Sequence, residues 1–246
     1  MSTKHVFDDA TGLVEKACLG VASTNPDLRF FAHHKVLYNA AHPRDKVAIL
    51  AGGGAGHEPA FSGLVGSGLV TVAVSGDVFA SPSSKQICSG VDLAPTDKGI
   101  VTIVLNYTGD CLNFGLASEK ARSAFHSEGK GRDIEMVNVG DDVSVGRSKG
   151  GLVGRRGLTG AAFTAKVLGA ASEKGDDVQK IAHLGRTMVK NFVTVGSSLD
   201  HCHVPGRSTD PKERGALSQS AVEIGMGIHN EPGAKHIENK PSGEDL

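Results

Sequence analysis

The sequence predicts an α/β protein: a mostly parallel sheet covered by helices, with the start of a second α/β domain. Two observations carry this. Short unbroken apolar runs recur along the chain, as expected for strands buried on both faces. Each is followed by a polar loop, and then often by helical periodicity, an alternation that implies parallel pairing through helical crossovers. Composition agrees. The 246 residues include 33 glycines, few aromatics and no tryptophan, which suits a protein with sites lined by backbone.

The elements follow in order. Asp8 or Asp9 is placed to cap a helix that runs to about Leu19. Residues 46–50 form a short apolar run, read as a buried strand, that breaks into the glycine loop 52–56. A second strand covers 69–74 and leads into Ser75-Gly76-Asp77. A third covers 99–105 and leads into Asn106-Tyr107-Thr108-Gly109-Asp110, with a helix over 112–124. A fourth covers 134–139, before Gly140-Asp141-Asp142. Residues 158–171, rich in Ala and Leu, predict a helix, and 177–192 another. Residues 149–157 read as an exposed loop, 202–215 as a polar connection, 221–224 as a final strand and 239–246 as a frayed tail. The division expected is a first α/β domain over 1–192 and the incomplete beginning of a second over 193–246.

Several classes are excluded. Lys and Arg nearly balance Asp and Glu, for a net charge of −1, which argues against nucleic acid or an anionic membrane as partner. Cys18, Cys88, Cys111 and Cys202 are scattered, with neither zinc-ligand nor disulfide spacing. His201-Cys202-His203 lacks a third and fourth ligand, so no metal site is expected. No apolar run approaches a membrane span and the N-terminus is unlike a signal peptide, so the cytoplasm is the expected location.

In such sheets ligands gather beyond the carboxyl ends of the strands. Those ends carry the loop 52–57, Ser75-Gly76-Asp77, 106–110 and 140–142. The segment Gly52-Gly53-Gly54-Ala55-Gly56-His57-Glu58-Pro59 is echoed later by Gly227-Ile228-His229-Asn230-Glu231-Pro232, and the two loops frame a small polar ligand if they meet in space. Each leads from glycines into a His, then a Glu and a Pro. The first lacks the Lys-Ser/Thr ending of a P-loop, so nucleotide binding by that device is not expected. His57 is a candidate base for a substrate hydroxyl, or a histidine at a helix start. Asp110 is a candidate for the same role, or an N-cap for the helix near Leu112. His229 could attack a carbonyl carbon through a neutral ring nitrogen, or simply close a turn. His33, His34, His42, His183 and His236 read as surface residues.

Together these segments resemble the K domain of the dihydroxyacetone kinases. The resemblance rests on 52–60, on Gly76-Asp77-Val78-Phe79-Ala80-Ser81-Pro82-Ser83, on 106–110 and on Leu112-Asn113-Phe114-Gly115. It extends to 140–142, to Gly154-Arg155-Arg156-Gly157 and to 227–233, all in the family's order. Asn230 resembles the ATP-dependent, fungal-type members. The resemblance implies that His229 holds dihydroxyacetone as a hemiaminal. It implies that His57 and Asp110 act on the hydroxyl that receives phosphate, and that backbone of Gly54, Ala55 and Gly56 holds substrate hydroxyls. It implies ATP and Mg as co-substrate on a separate helical L domain, none bound by this chain, with glyceraldehyde a second candidate substrate and a homodimer as the assembly. Four positions depart from the family's usual residues: Leu105 for Lys, Ala55 for Ser, Phe61 for His and Cys111 for Arg. Family K domains also continue past the reactive histidine, so the chain reads as a truncated component, inactive alone. The alternative is a non-catalytic dihydroxyacetone binder or regulator. A dinucleotide enzyme fits the loop spacing poorly.

Overall fold

Ile49, Leu50 and Ala51 expose no surface, and their alternating side chains enter two different cores. That is the mark of a central strand covered on both faces. The structure is a computed structural model that describes residues 6–7, 9–129, 131–146, 154–204, 206–208, 210 and 216–244. The alternative cap Asp8, residues 149–153 of the expected exposed loop, 205, 209 and 211–215 of the polar connection and 245–246 of the tail lie outside the described residues.

The strands β1 (Leu28–Phe31), β2 (Val36–Asn39), β3 (Ala48–Ala55), β4 (Val72–Val78), β5 (Ile100–Leu105) and β6 (Ile134–Val139) form one sheet in the order β1-β2-β4-β3-β5-β6. The pairs β4–β3, β3–β5 and β5–β6 are parallel, while β1 and β2 add an antiparallel edge. The helices are α1 (Leu13–Ser23), α2 (Ser84–Leu93), α3 (Thr108–Glu128), α4 (Gly160–Glu173) and α5 (Val178–Met188). Ile49, Ala51, Val101, Ile103 and Val137 pack beneath α4 and α5 through Ala165, Leu168, Ile181 and Ala182. Ala48, Leu50, Ile100, Val104 and Ile134 pack beneath α2 and α3 through Ile87, Val91, Phe114 and Ala117. A second, small antiparallel sheet joins β7 (Ser197–Ser198), β8 (Val222–Ile224) and β9 (Lys235–Ile237) in that order.

Several boundaries differ from expectation, among them β4, which runs over Val72–Val78 rather than 69–74, and α4, which runs over Gly160–Glu173 rather than 158–171. β3 runs on through its glycines to Ala55, because a strand without side chains can pass close to β4. A Cβ on Gly52 would lie 2.3 Å from the Val74 carbonyl oxygen. α1 begins at Leu13 because Asp9 spends its carboxylate on the Thr11 amide and hydroxyl. α3 begins at Thr108, four residues early, which places Asp110 inside the first turn rather than at the N-cap. α5 stops at Met188. His42, expected at the surface, is buried, and burial pushes its pKa down.

The acidic pair after β6 has a structural task. Asp141 is fully buried and accepts the Leu158 and Gly160 amides at 2.7 and 2.8 Å, which caps α4. Asp142, also fully buried, pairs with Arg156 at 2.7 Å. Arg156 in turn donates to the Gly225 carbonyl at 2.7 Å, which ties the small sheet to the large one. No described helix is long and apolar enough to cross a membrane.

Candidate functional site

Parallel pairing brings the ends of β3, β4 and β5 to one rim, and the loop after β8 folds over it. β3 and β4 slip register between Gly53 and Ala55. Bulges of this kind re-aim backbone beside active sites. Gly54 occupies the irregularity, where a Cβ would meet the Ala80 amide at 2.8 Å. Gly56 follows with φ of 105°, and its amide donates to the Glu58 carboxylate at 3.1 Å. Ala55 accepts the Phe79 amide through its carbonyl at 2.8 Å. These backbone groups line the rim, but the Gly56 amide is already engaged.

Asp110 lies in the first turn of α3 and is only 5% exposed. A Cβ on Gly53 would stand 3.7 and 3.8 Å from its two carboxylate oxygens, so the carboxylate rests over the glycine backbone. Its Oδ1 has no hydrogen-bond partner. Burial pushes the Asp110 carboxyl above its ordinary value, against a hydrogen bond from Ser81 and the influence of His229. An N-cap would spend its carboxylate on helix amides, so the capping alternative does not describe this side chain.

His57 and His229 meet across the rim, with ring centroids 6.1 Å apart at 82°. Both His57 ring nitrogens are buried without partners. Burial, then the neighbouring His229, lowers the His57 pKa, so its ring is neutral at pH 7 and can take a proton. His229 is held on three sides. The Phe79 and Tyr107 rings each stand edge-on to it at 4.9 Å. Glu231 accepts from its backbone amide and pairs with its Nδ1, each at 2.9 Å. Burial pushes the Glu231 carboxyl up, but the bonds from the His229 ring and amide prevail and hold it at about 2. A carboxylate at Nδ1 selects the tautomer with its proton there, which leaves the lone pair on Nε2.

The structure thus brings His57, Asp110 and His229 to one rim and adds four residues not singled out from the sequence. Phe79 and Tyr107 wall His229, Ser81 bonds Asp110 and Glu231 orients His229. Phe79 adopts φ of 56°, a left-handed conformation unusual for a bulky residue. The Tyr107 hydroxyl is buried without a partner, and burial pushes its pKa up. The signal available in advance was the His-x-Glu of the later loop, His229-Asn230-Glu231, because a carboxylate two residues on can reach back to the ring. The same loop is pinned from outside, where Asn230 accepts the Cys202 amide at 2.8 Å and donates to its carbonyl at 3.0 Å.

Gly52 and Gly53 of β3 pair with Val74 and Ser75 of β4 rather than wrapping as a phosphate cradle. Among the described residues no three His, Cys, Asp or Glu side chains converge so as to hold a metal ion.

Comparison with known proteins places this architecture. The Dak1 domain family matches residues 19–245, and the chain belongs to that family. It is 43% identical to the dihydroxyacetone kinase of Pichia angusta, over all of this chain and 41% of that protein. It is 42% identical to dihydroxyacetone kinase 2 of Saccharomyces cerevisiae, again over all of this chain and 41% of the relative. Among solved structures, the dihydroxyacetone kinase of C. freundii superposes with a TM-score of 0.86 at 34% identity, over 100% of this chain and 44% of that one. That kinase has also been solved in complex with AMP-PNP and Mg2+. A dihydroxyacetone kinase operon co-activator superposes with a TM-score of 0.82 at 31% identity, over 93% of this chain and 67% of that one. The chain therefore spans about two fifths of the length of the curated kinases it matches.

Proposed function

We propose that this chain is the substrate-binding part of a dihydroxyacetone kinase. It anchors dihydroxyacetone on His229 and readies a hydroxyl for phosphate from ATP held on a separate domain. The observation that supports this best is the Glu231–His229 pair, at 2.9 Å, facing His57 across the rim. In the reaction, the Nε2 lone pair forms a bond to the ketone carbon. The C=O π electrons move to oxygen, which takes up a proton from solvent water to become a hydroxyl. The ring carries the positive charge, offset by the Glu231 carboxylate at Nδ1. A small, well-hydrated ketose offers little apolar area to bury, so a covalent anchor supplies what contact cannot. Glycerol, with no carbonyl, is rejected. His57, neutral, and Asp110 are the groups that take the proton of the hydroxyl as it attacks phosphorus. Glyceraldehyde is a second carbonyl substrate for the same anchor. The proposal extends to a cytoplasmic homodimer, and to no turnover of ATP by this chain alone.

The second reading, a binder that senses the ketone without phosphorylating it, draws support from the likeness to the operon co-activator. Both readings need the anchor, which is tested first. With dihydroxyacetone labelled with 13C at its carbonyl, NMR should show that carbon converted to a tetrahedral signal bound to protein, and His229→Ala should lose it. An adduct that survives in a folded His229→Ala protein overturns the assignment. Addition of ATP, magnesium and a nucleotide-binding L domain then separates the readings, since only the kinase component yields the phosphate ester.

A further inference from the structure

Behind His57 lies a cavity of about 300 Å³ whose walls are almost wholly apolar. Phe61, in the loop after β3, and Leu105, at the end of β5, each 4% exposed, form one wall, while Leu158 and Ala162 line it at the start of α4. Its link to the site is direct. His57 is part of its wall, and so is Ile228, the residue before His229. The space is equivalent to roughly ten water volumes of ~30 Å³ each, yet the wall offers water little to bond. Dihydroxyacetone has no apolar arm to fill it.

We propose that this cavity receives an alkyl group carried by the ligand, so that the site accepts α-hydroxy ketones with an unbranched chain of two to four carbons beyond the carbonyl. This rests on the anchoring of the ketone at His229. A hydroxyl and a carbonyl engage the rim, and the substituent on the far side of the carbonyl passes His57 into the space walled by Phe61, Leu105 and Ile228. Both ends of the ligand are then matched: the polar end by groups that move a proton, the apolar end by surface otherwise left against water. The chain length that fits is limited by Leu158 and Ala162 at α4.

The test compares hydroxyacetone, 1-hydroxy-2-butanone, 1-hydroxy-2-pentanone and 1-hydroxy-2-hexanone with dihydroxyacetone, each titrated against the whole chain by NMR. Affinity should rise about fourfold for each added methylene until the cavity is full. Ala162→Phe, which fills the cavity from α4, should cancel the rise while dihydroxyacetone binds as before; Ala162→Leu serves if the larger side chain prevents folding. n-Pentanol, which cannot form an adduct, should bind the wild-type chain and not the filled variant. A flat or falling ketone series with dihydroxyacetone still bound overturns the inference and leaves the anchor standing. Pentanol binding without any ketone adduct overturns the anchor and leaves the apolar site standing. If neither pentanol nor the ketone series binds, the inference is overturned as well.

Discussion

Asp110→Asn should make the protein more stable while it impairs chemistry. The wild-type carboxylate is 5% exposed, with one oxygen unpaired and one hydrogen bond from Ser81. A buried group left unsatisfied costs about 1–3 kcal/mol, more when charged. The amide keeps the Ser81 contact and sheds the charge, but its NH2 also lacks a partner, so the net gain is about 1 kcal/mol, as for other sites that trade stability for function. For a domain of this size that corresponds to a rise in Tm of roughly 2–4 °C. The pH dependence makes the test specific. Burial raises the Asp110 pKa above its ordinary 3.8, so the folded state binds this proton more tightly than the unfolded chain does. Wild-type stability is therefore penalised above the raised folded value and recovers as pH falls through it toward 3.8. The gap between variant and wild type should be widest near neutral pH and close in acid. Thermal unfolding by circular dichroism from pH 4 to 8 measures it. A lower Tm for the variant, or a gap that stays constant with pH, refutes the reasoning.

Three further outcomes follow from the same geometry. In the complete kinase, Asp110→Asn should slow phosphate transfer by about 10²–10⁴-fold, as for loss of a general base, with adduct occupancy by NMR unchanged. Glu231→Gln should reduce adduct affinity about tenfold. That is the low end expected for a charge-assisted bond, because a third of the Glu231 side chain meets solvent; an unchanged titration would dissociate Glu231 from the anchor. Arg156→Ala strands the fully buried Asp142 without its cation, at about 3–5 kcal/mol, and denaturant unfolding should register that loss.

How much was legible in advance depended on whether a signal was local. β5 and β6 could be read because continuous apolar runs such as Ile100-Val101-Thr102-Ile103-Val104-Leu105 have only one comfortable place, a strand covered twice. The edge strands β1 and β2 were not read, since each has four residues and gains its identity from pairing with β4 and with one another. α2 could have been found: Ser83 and Gln86 form a capping box, with the Gln86 amide on the Ser83 hydroxyl at 3.3 Å. Asp110 misled as a cap because the two residues before it, Thr108 and Gly109, looked like loop yet begin the helix. The rim positions of His57 and Asp110 followed from strand order, whereas the place of His229, after β8 of the small sheet, and its pairing with Glu231 needed the tertiary fold. The cavity behind His57 had no sequence signal, because its walls come from four separate stretches of chain.

The proposed nucleophile and its proposed proton acceptors belong to different sheets. His57 and Asp110 are rooted in the large sheet, whereas His229 arrives on the loop that follows β8, held by Arg156 to Gly225 and by Asn230 to Cys202. The small sheet has three short strands and little core of its own, so it should open more readily than β3–β6. A ligand bonded to His229 and hydrogen-bonded at the other rim would act as a staple across that seam, and binding energy would appear as cohesion between the two units. Amide exchange over residues 222–237 should then slow with dihydroxyacetone far more than exchange in β5. The site would be a fastener whose closure depends on its cargo, and occupancy could be read as the order of one small sheet.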